Sequence, residues 1–230
     1  MEKEKKRVSV LFMLFSILFC VCLITANLLE TKQIAAGPIS ITGGLLVFPV
    51  SYIINDCVCE VWGYRKARLL IWTGFAMNFF VVLMGALCDF LPPAPYWEHQ
   101  EGFHAIFGLA PRIVGASFVA FILGSFTNAF VMSKMKLRDG SSRRFSLRAI
   151  VSSLAGESCD SLIFFPLAFA GVVPASEIPV LMISQILLKT FYEVLILPLT
   201  CRVVKVLKVR EGEDALDEGI SYNIFKILDL

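Results

Sequence analysis

At 230 residues, 57% hydrophobic and only 17% charged, with a mean hydropathy of +0.75, the chain is oilier than soluble domains, which run near 45–50% apolar and ~25% charged. This composition marks a membrane protein and leaves no soluble stretch long enough to fold apart. The net charge of +2 is too small to imply a nucleic-acid partner, so where Lys and Arg fall matters more than their sum.

A spanning helix needs roughly 20 mostly apolar residues at ~1.5 Å each. Six stretches qualify: 8–29, 41–61, 68–91, 111–135, 145–171 and 176–204. The expected fold class is an all-α membrane protein of six transmembrane helices. A tail at 1–7 precedes the six-helix transport domain at 8–204, and a second tail occupies 205–230. Basic residues gather on one side: Lys3 to Arg7, then Arg65, Lys66 and Arg68, then Lys134 to Arg148, then Arg202 to Lys226. By the positive-inside rule both termini are expected in the cytoplasm. The first apolar run is longer than a signal h-region and lacks a small-x-small cleavage site, so it reads as a true span.

Taken in order, the first span ends in Thr25-Ala26-Asn27, where Asn27 either meets a ligand or caps the helix. The connection A-A-G-P-I-S-I-T-G-G is rich in small residues, which suits close helix approach or irregular backbone lining a cavity. Span two places Asp56 and Glu60 at i and i+4 on one face and breaks at Gly63. Glu60 lies near the boundary and either serves the site or reaches toward Arg65 or Arg68. Trp62 and Tyr64 suit an interfacial aromatic belt. In span three Asn78 is a polar intruder among Phe75, Phe79 and Phe80, explained equally by a ligand or by an interhelical bond. Both histidines, His99 and His104, fall in the long connection that follows.

Span four carries the small-residue stripe Ala116, Ser117, Gly124 and Ser125. Span five holds Glu157 and Asp160, and counting about 11 residues inward at ~1.5 Å puts Glu157 near the bilayer midplane. A short acid cannot snorkel from that depth, and ionisable residues there are expensive. Span six repeats Gln185, Lys189 and Glu193 at every fourth position, and Lys189 is the natural counter-ion of the acids on spans two and five. The seven cysteines all fall in spans, so neither a disulfide framework nor a metal site is expected. No catalytic residue is expected either: with no His in any span a Ser/His dyad is unavailable, and a membrane scaffold would leave these charges unused.

The asparagine ending span one, F-P-x2-Y-x3-D-x3-E-x2-G-x3-A-R over 48–68, R-x4-S-F-x-A from Arg112, G-E-x2-D from Gly156 and K-x3-E-x4-P from Lys189 form a combined pattern. In that combination the chain resembles the queuosine precursor transporter family. The resemblance implies a bacterial inner-membrane importer of 7-cyano-7-deazaguanine, 7-aminomethyl-7-deazaguanine or queuine for tRNA modification. It also implies a fold like the six-helix substrate-binding components of energy-coupling-factor transporters.

The residue chemistry suits such a ligand. A carboxylate accepts the paired N–H and amine donors of a guanine-like edge, and an amide both donates and accepts. The expected substrate-binding set is Asn27, Asp56, Glu60, Asn78, Glu157, Asp160, Lys189 and Glu193, with phenylalanines of spans three and five stacking on the ring. Asp56 or Glu193 is the candidate proton carrier if the protein works alone. The expected partners are the deazaguanine and the lipid bilayer, with no cofactor and no nucleic acid. A second copy of the chain and an energy-coupling ATPase module are open alternatives, the latter also for another purine-like compound or vitamin. No Walker-type motif occurs, so the chain itself hydrolyses no nucleotide.

Overall fold

The computed structural model describes residues 9–29, 32–36, 39–108, 111–139, 144–171 and 175–227. The N-terminal tail, residues 140–143 of the basic loop and residues 172–174 of the turn before the last helix lie outside the described residues. The helices are α1 (Val10–Leu29), α2 (Phe48–Phe90), α3 (Gln100–Phe107), α4 (Pro111–Asp139), α5 (Phe145–Phe169) and α6 (Glu177–Glu211). All but α3 are long and apolar enough to cross a membrane. Their outward faces carry side chains such as Phe80, Leu162 and Leu195, which are 58%, 61% and 67% exposed, as a lipid-facing surface requires.

Two departures from the sequence reading concern backbone. The small-residue connection after α1 is a β-hairpin, with β1 (Gln33–Ala36) antiparallel to β2 (Ile39–Thr42) and Gln33 opposite Thr42. The second and third expected spans are joined within α2 instead of being separated by a loop. At ~1.5 Å per residue, a straight helix of 43 residues would reach about 64 Å, twice the ~30 Å hydrocarbon thickness. It is not straight. Gly63, at φ 84° and ψ 172°, leaves the helical region for one in which only glycine is comfortable.

Contacts with α1 show what the break does. Phe12, near the start of α1, meets Trp62 at 5.5 Å between ring centroids, and the carbonyl of Leu29, at its end, lies against Gly43. The first half of α2 therefore runs antiparallel to α1. Beyond the break, Gly74 packs on Phe19 and Leu23, back toward the middle of α1, so the second half runs parallel to it. The chain reverses at a single residue.

A reversal this tight exposes the N-terminal amides of the second half, which need acceptors. Asp217 supplies them: both of its carboxylate oxygens lie 3.1 Å from the Tyr64 N–H, and Ser133 donates its hydroxyl to the same side chain. A carboxylate at a helix N-terminus also answers the helix dipole. Asp217 belongs to a C-terminal strap, residues 212–227, that follows α6 and lies back across the bundle. The Ala215 N–H donates to the Val61 carbonyl at 3.1 Å. Arg68 donates to the carbonyls of Ser221 and Asn223 at 3.0 and 2.9 Å, and the Trp72 indole to Ile224 at 2.8 Å.

Beneath the strap lies Glu60, wholly buried. It is held by Arg148 at 2.7 Å, Lys208 at 2.5 Å and Lys136 at 3.8 Å, instead of the nearby arginines expected from the sequence. Asp214 of the strap bridges Lys136 and Lys208 at 2.5 and 2.9 Å. This end of the molecule is called the basic end below.

Candidate substrate site within the helix bundle

Three elements meet where α4 and α5 approach most closely. Gly124 of α4 and Gly156 of α5 face each other so tightly that a Cβ on Gly124 would lie 3.0 Å from the Gly156 carbonyl and 2.7 Å from the Tyr52 hydroxyl. Small residues at such a crossing let backbones touch. The crossing carries Asp160 and Glu157 against the first half of α2. That half in turn presents Tyr52, Asp56 and Glu60 at successive i, i+4 positions along one face.

The upper tier of this face holds the acid–lysine group. Lys189 of α6 places its Nζ 3.0 Å from Glu157 and 3.5 Å from Asp160, and 4.1 Å from the centroid of the Phe48 ring. Glu157 and Asp160 are 2% and 8% exposed. Phe48 packs on Tyr52 with ring centroids 5.6 Å apart. Two acids thus share one ammonium and an aromatic wall.

One helical turn toward the basic end lies a second tier. Ser153 of α5 sits 2.5 Å from Glu193 of α6 and 3.4 Å from Asp56. The Asn128 amide donates to Ser153 at 3.2 Å, and the Asn55 amide to Asn128 at 3.0 Å. One hydroxyl has one proton to donate, so Ser153 serves one carboxylate at a time. Among the described residues no cation is paired with either Asp56 or Glu193 in this tier. Glu60 and its three cations form the third tier.

The structure therefore brings together five of the expected residues, Asp56, Glu157, Asp160, Lys189 and Glu193. Glu60 stands apart in the ion cluster of the basic end. Asn27 is half-buried near the end of α1, and Asn78 is buried in the second half of α2. No polar contact among the described residues joins either asparagine to the group. The aromatic side chain beside the acids is Phe48 of α2, whereas Phe75, Phe79 and Phe118 stack on one another. Tyr52, which entered the sequence reading only as part of the pattern over 48–68, and Ser153 were not named as site residues, although each lies four residues before an acid already singled out. The side chain of Arg112 lies outside the described residues.

Outside the helices two ionisations are displaced among the described residues: burial pushes the Tyr222 phenol up, and Asp214 moves the other way. Burial works against the charge of Asp214, but the ammonium groups of Lys136 and Lys208 outweigh it and hold this carboxyl below its usual value. Among the described residues no cluster of three or more His, Cys, Asp or Glu side chains is arranged to hold a metal ion.

A bundle of apolar helices enclosing acids, a lysine and unsatisfied hydroxyls is a multi-pass membrane protein. The chain belongs to the family described as "Putative vitamin uptake transporter", which matches residues 42–203. The family is one of transporters and not of enzymes. Similar proteins include the "Probable queuosine precursor transporter" of Bacillus subtilis (strain 168), 28% identical over 177 residues and 76% of each chain. The "Queuosine precursor transporter" of Escherichia coli (strain K12) is 28% identical over 169 residues and 72% of each chain. No solved structure matches. The matched region contains every residue of the acid–lysine group.

Proposed function

We propose that the protein imports queuosine precursors, namely 7-cyano-7-deazaguanine, 7-aminomethyl-7-deazaguanine or queuine, across the inner membrane of a bacterium for tRNA modification. The observation that carries this reading is the buried group Glu157–Asp160–Lys189, lodged among helices in a chain whose relatives are named for that cargo. A guanine-like edge offers adjacent N–H and amine donors. On binding, it shares the carboxylates with Lys189, since each ionised carboxylate accepts several hydrogen bonds at once, and Phe48 covers a ring face. Ionisable groups among membrane-spanning helices are costly, and where they are kept they commonly serve a ligand or ion.

In this reading the chain crosses the bilayer six times, through α1, the two halves of α2, α4, α5 and α6. The basic end faces the cytoplasm and both termini lie there. Asp56 and Glu193 are the proton-carrying pair that couples uptake to the gradient. Glu60, already held by three cations, closes the cytoplasmic end and leaves the substrate to the upper tier. A homodimer is compatible with this arrangement.

The test is import itself. In cells unable to make or import queuosine precursors, expression of the protein restores queuosine in tRNA when one of the three compounds is fed. Glu157→Ala abolishes this while the protein still inserts. Absence of restoration with every compound, despite confirmed insertion, rejects the deazaguanine reading. It would turn attention to the vitamin class that the family description names, with a partner ATPase module as driver.

A further inference from the structure

Tyr52 was not among the residues expected at the site, yet its surroundings are the most specific there. Its ring is wedged between two glycines: a Cβ on Gly156 would lie 2.9 Å from Tyr52 Cε1, and one on Gly124 2.7 Å from its hydroxyl oxygen and 2.9 Å from Asp160 Cβ. Phe48 closes another side, with ring centroids 5.6 Å apart. The side chain is only 2% exposed, and its hydroxyl has no hydrogen-bond partner among the described residues. A buried hydroxyl left unsatisfied is costly, and native interiors rarely keep one without a reason. Asp160, whose Cβ lies against the same glycine as the Tyr52 hydroxyl, belongs to the acid–lysine group.

We propose that the Tyr52 hydroxyl donates a hydrogen bond to the bound ligand, reading the ring carbonyl oxygen that adjoins its N–H and amine donors. The inference rests on the transport reading above and adds a specificity residue to it. A guanine-like edge runs acceptor, donor, donor. Opposite it the site offers a hydroxyl donor at Tyr52 and the carboxylate acceptors of Glu157 and Asp160. Lys189 is engaged by both acids and by the Phe48 ring, which leaves Tyr52 as the donor fixed in place for the carbonyl. The two glycines hold the phenol in one position, so its orientation does not have to be organised when the ligand arrives.

The experiment is a cycle between protein and ligand, read by calorimetry on the full chain in lipid nanodiscs. The ligands are 7-cyano-7-deazaguanine and its thiocarbonyl analogue, in which sulfur replaces the carbonyl oxygen, keeping both donors but weakening the acceptor. Wild type is expected to bind the thio analogue roughly tenfold more weakly, the scale of one buried hydrogen bond. Tyr52→Phe should lose about the same factor for the carbonyl ligand and then be indifferent to the sulfur exchange. An equal loss for both ligands in Tyr52→Phe would make the phenol a packing element and overturn the proposal. If that variant does not fold, wild type still decides, because equal affinity for the two ligands overturns it as well. Failure of wild type to bind any deazaguanine defeats the transport reading and takes this inference with it, whereas binding without a carbonyl preference defeats the inference alone.

Discussion

Two groups of buried charge lie along one face of α2, two helical turns apart, and they are answered in different ways. At the basic end Glu60 meets Arg148, Lys136 and Lys208, and Asp214 of the strap occupies the outer sides of the two lysines. In the upper tier two carboxylates share one ammonium, and a phenol beside them has no hydrogen-bond partner among the described residues. Between them, Asp56 and Glu193 share the Ser153 hydroxyl. A closed ion cluster leaves nothing for a ligand to satisfy, and it resists the loss of any member because the others are then buried without compensation. An open one tolerates substitution in the fold and loses function instead. On the transport reading proposed above, the difference separates a structural acid, Glu60, from acids that serve the ligand.

The largest effect expected is at the closed cluster. Glu60→Gln leaves three cations facing one another and should cost about 3 to 5 kcal/mol, seen as loss of monodisperse protein on detergent extraction. Glu157→Gln, by contrast, should extract and melt like wild type while losing ligand binding. Equal behaviour of the two variants in that assay would erase the distinction. A smaller and purely functional effect is expected in the middle tier. In proteoliposomes Asp56→Asn should still exchange labelled ligand for unlabelled but no longer accumulate it against a gradient, and loss of exchange too would move Asp56 into the binding group.

The smallest effect belongs to Asp214, half exposed at 48%. Because its folded carboxyl titrates below the usual 3.8, its ion pairs stabilise the protein above that pH and are lost as the pH falls through the depressed value. Solvent screening keeps the contribution under about 1 kcal/mol. Melting curves of wild type and Asp214→Asn should therefore differ slightly at neutral pH and converge in acid. A gap that persists at low pH would show that the carboxylate charge is not what Asp214 contributes.

How much of this was legible beforehand depended on the range of the interactions. Apolar length alone located α1, α4, α5 and α6, because a helix in lipid satisfies its own backbone. The i, i+4 spacing of Lys189 and Glu193, and the depth of Glu157, were enough to assemble most of the open group. The break at Gly63 was visible as a glycine before a basic run, but its tightness was not, since the acid that caps it stands 153 positions away. The same limit hid Arg148 and Lys208 as partners of Glu60. The hairpin was missed for a local reason: Ile39-Ser40-Ile41-Thr42 alternates with the period of a strand, but its glycine-rich flanks suggested irregular backbone.

The strap that caps the Gly63 reversal also constrains the order in which the protein can be completed. Ribosomes build chains from the N-terminus at roughly 5 to 20 residues per second, so the 153 positions from Tyr64 to Asp217 take about 8 to 30 s. Both halves of α2 are complete once Phe90 has been added, early in that interval, while the carboxylate for their junction does not yet exist. Water or lipid headgroups must serve the Tyr64 amide until Asp217 displaces them. Closure of the basic end is thus a late event of biogenesis, imposed by the position of one aspartate in the chain.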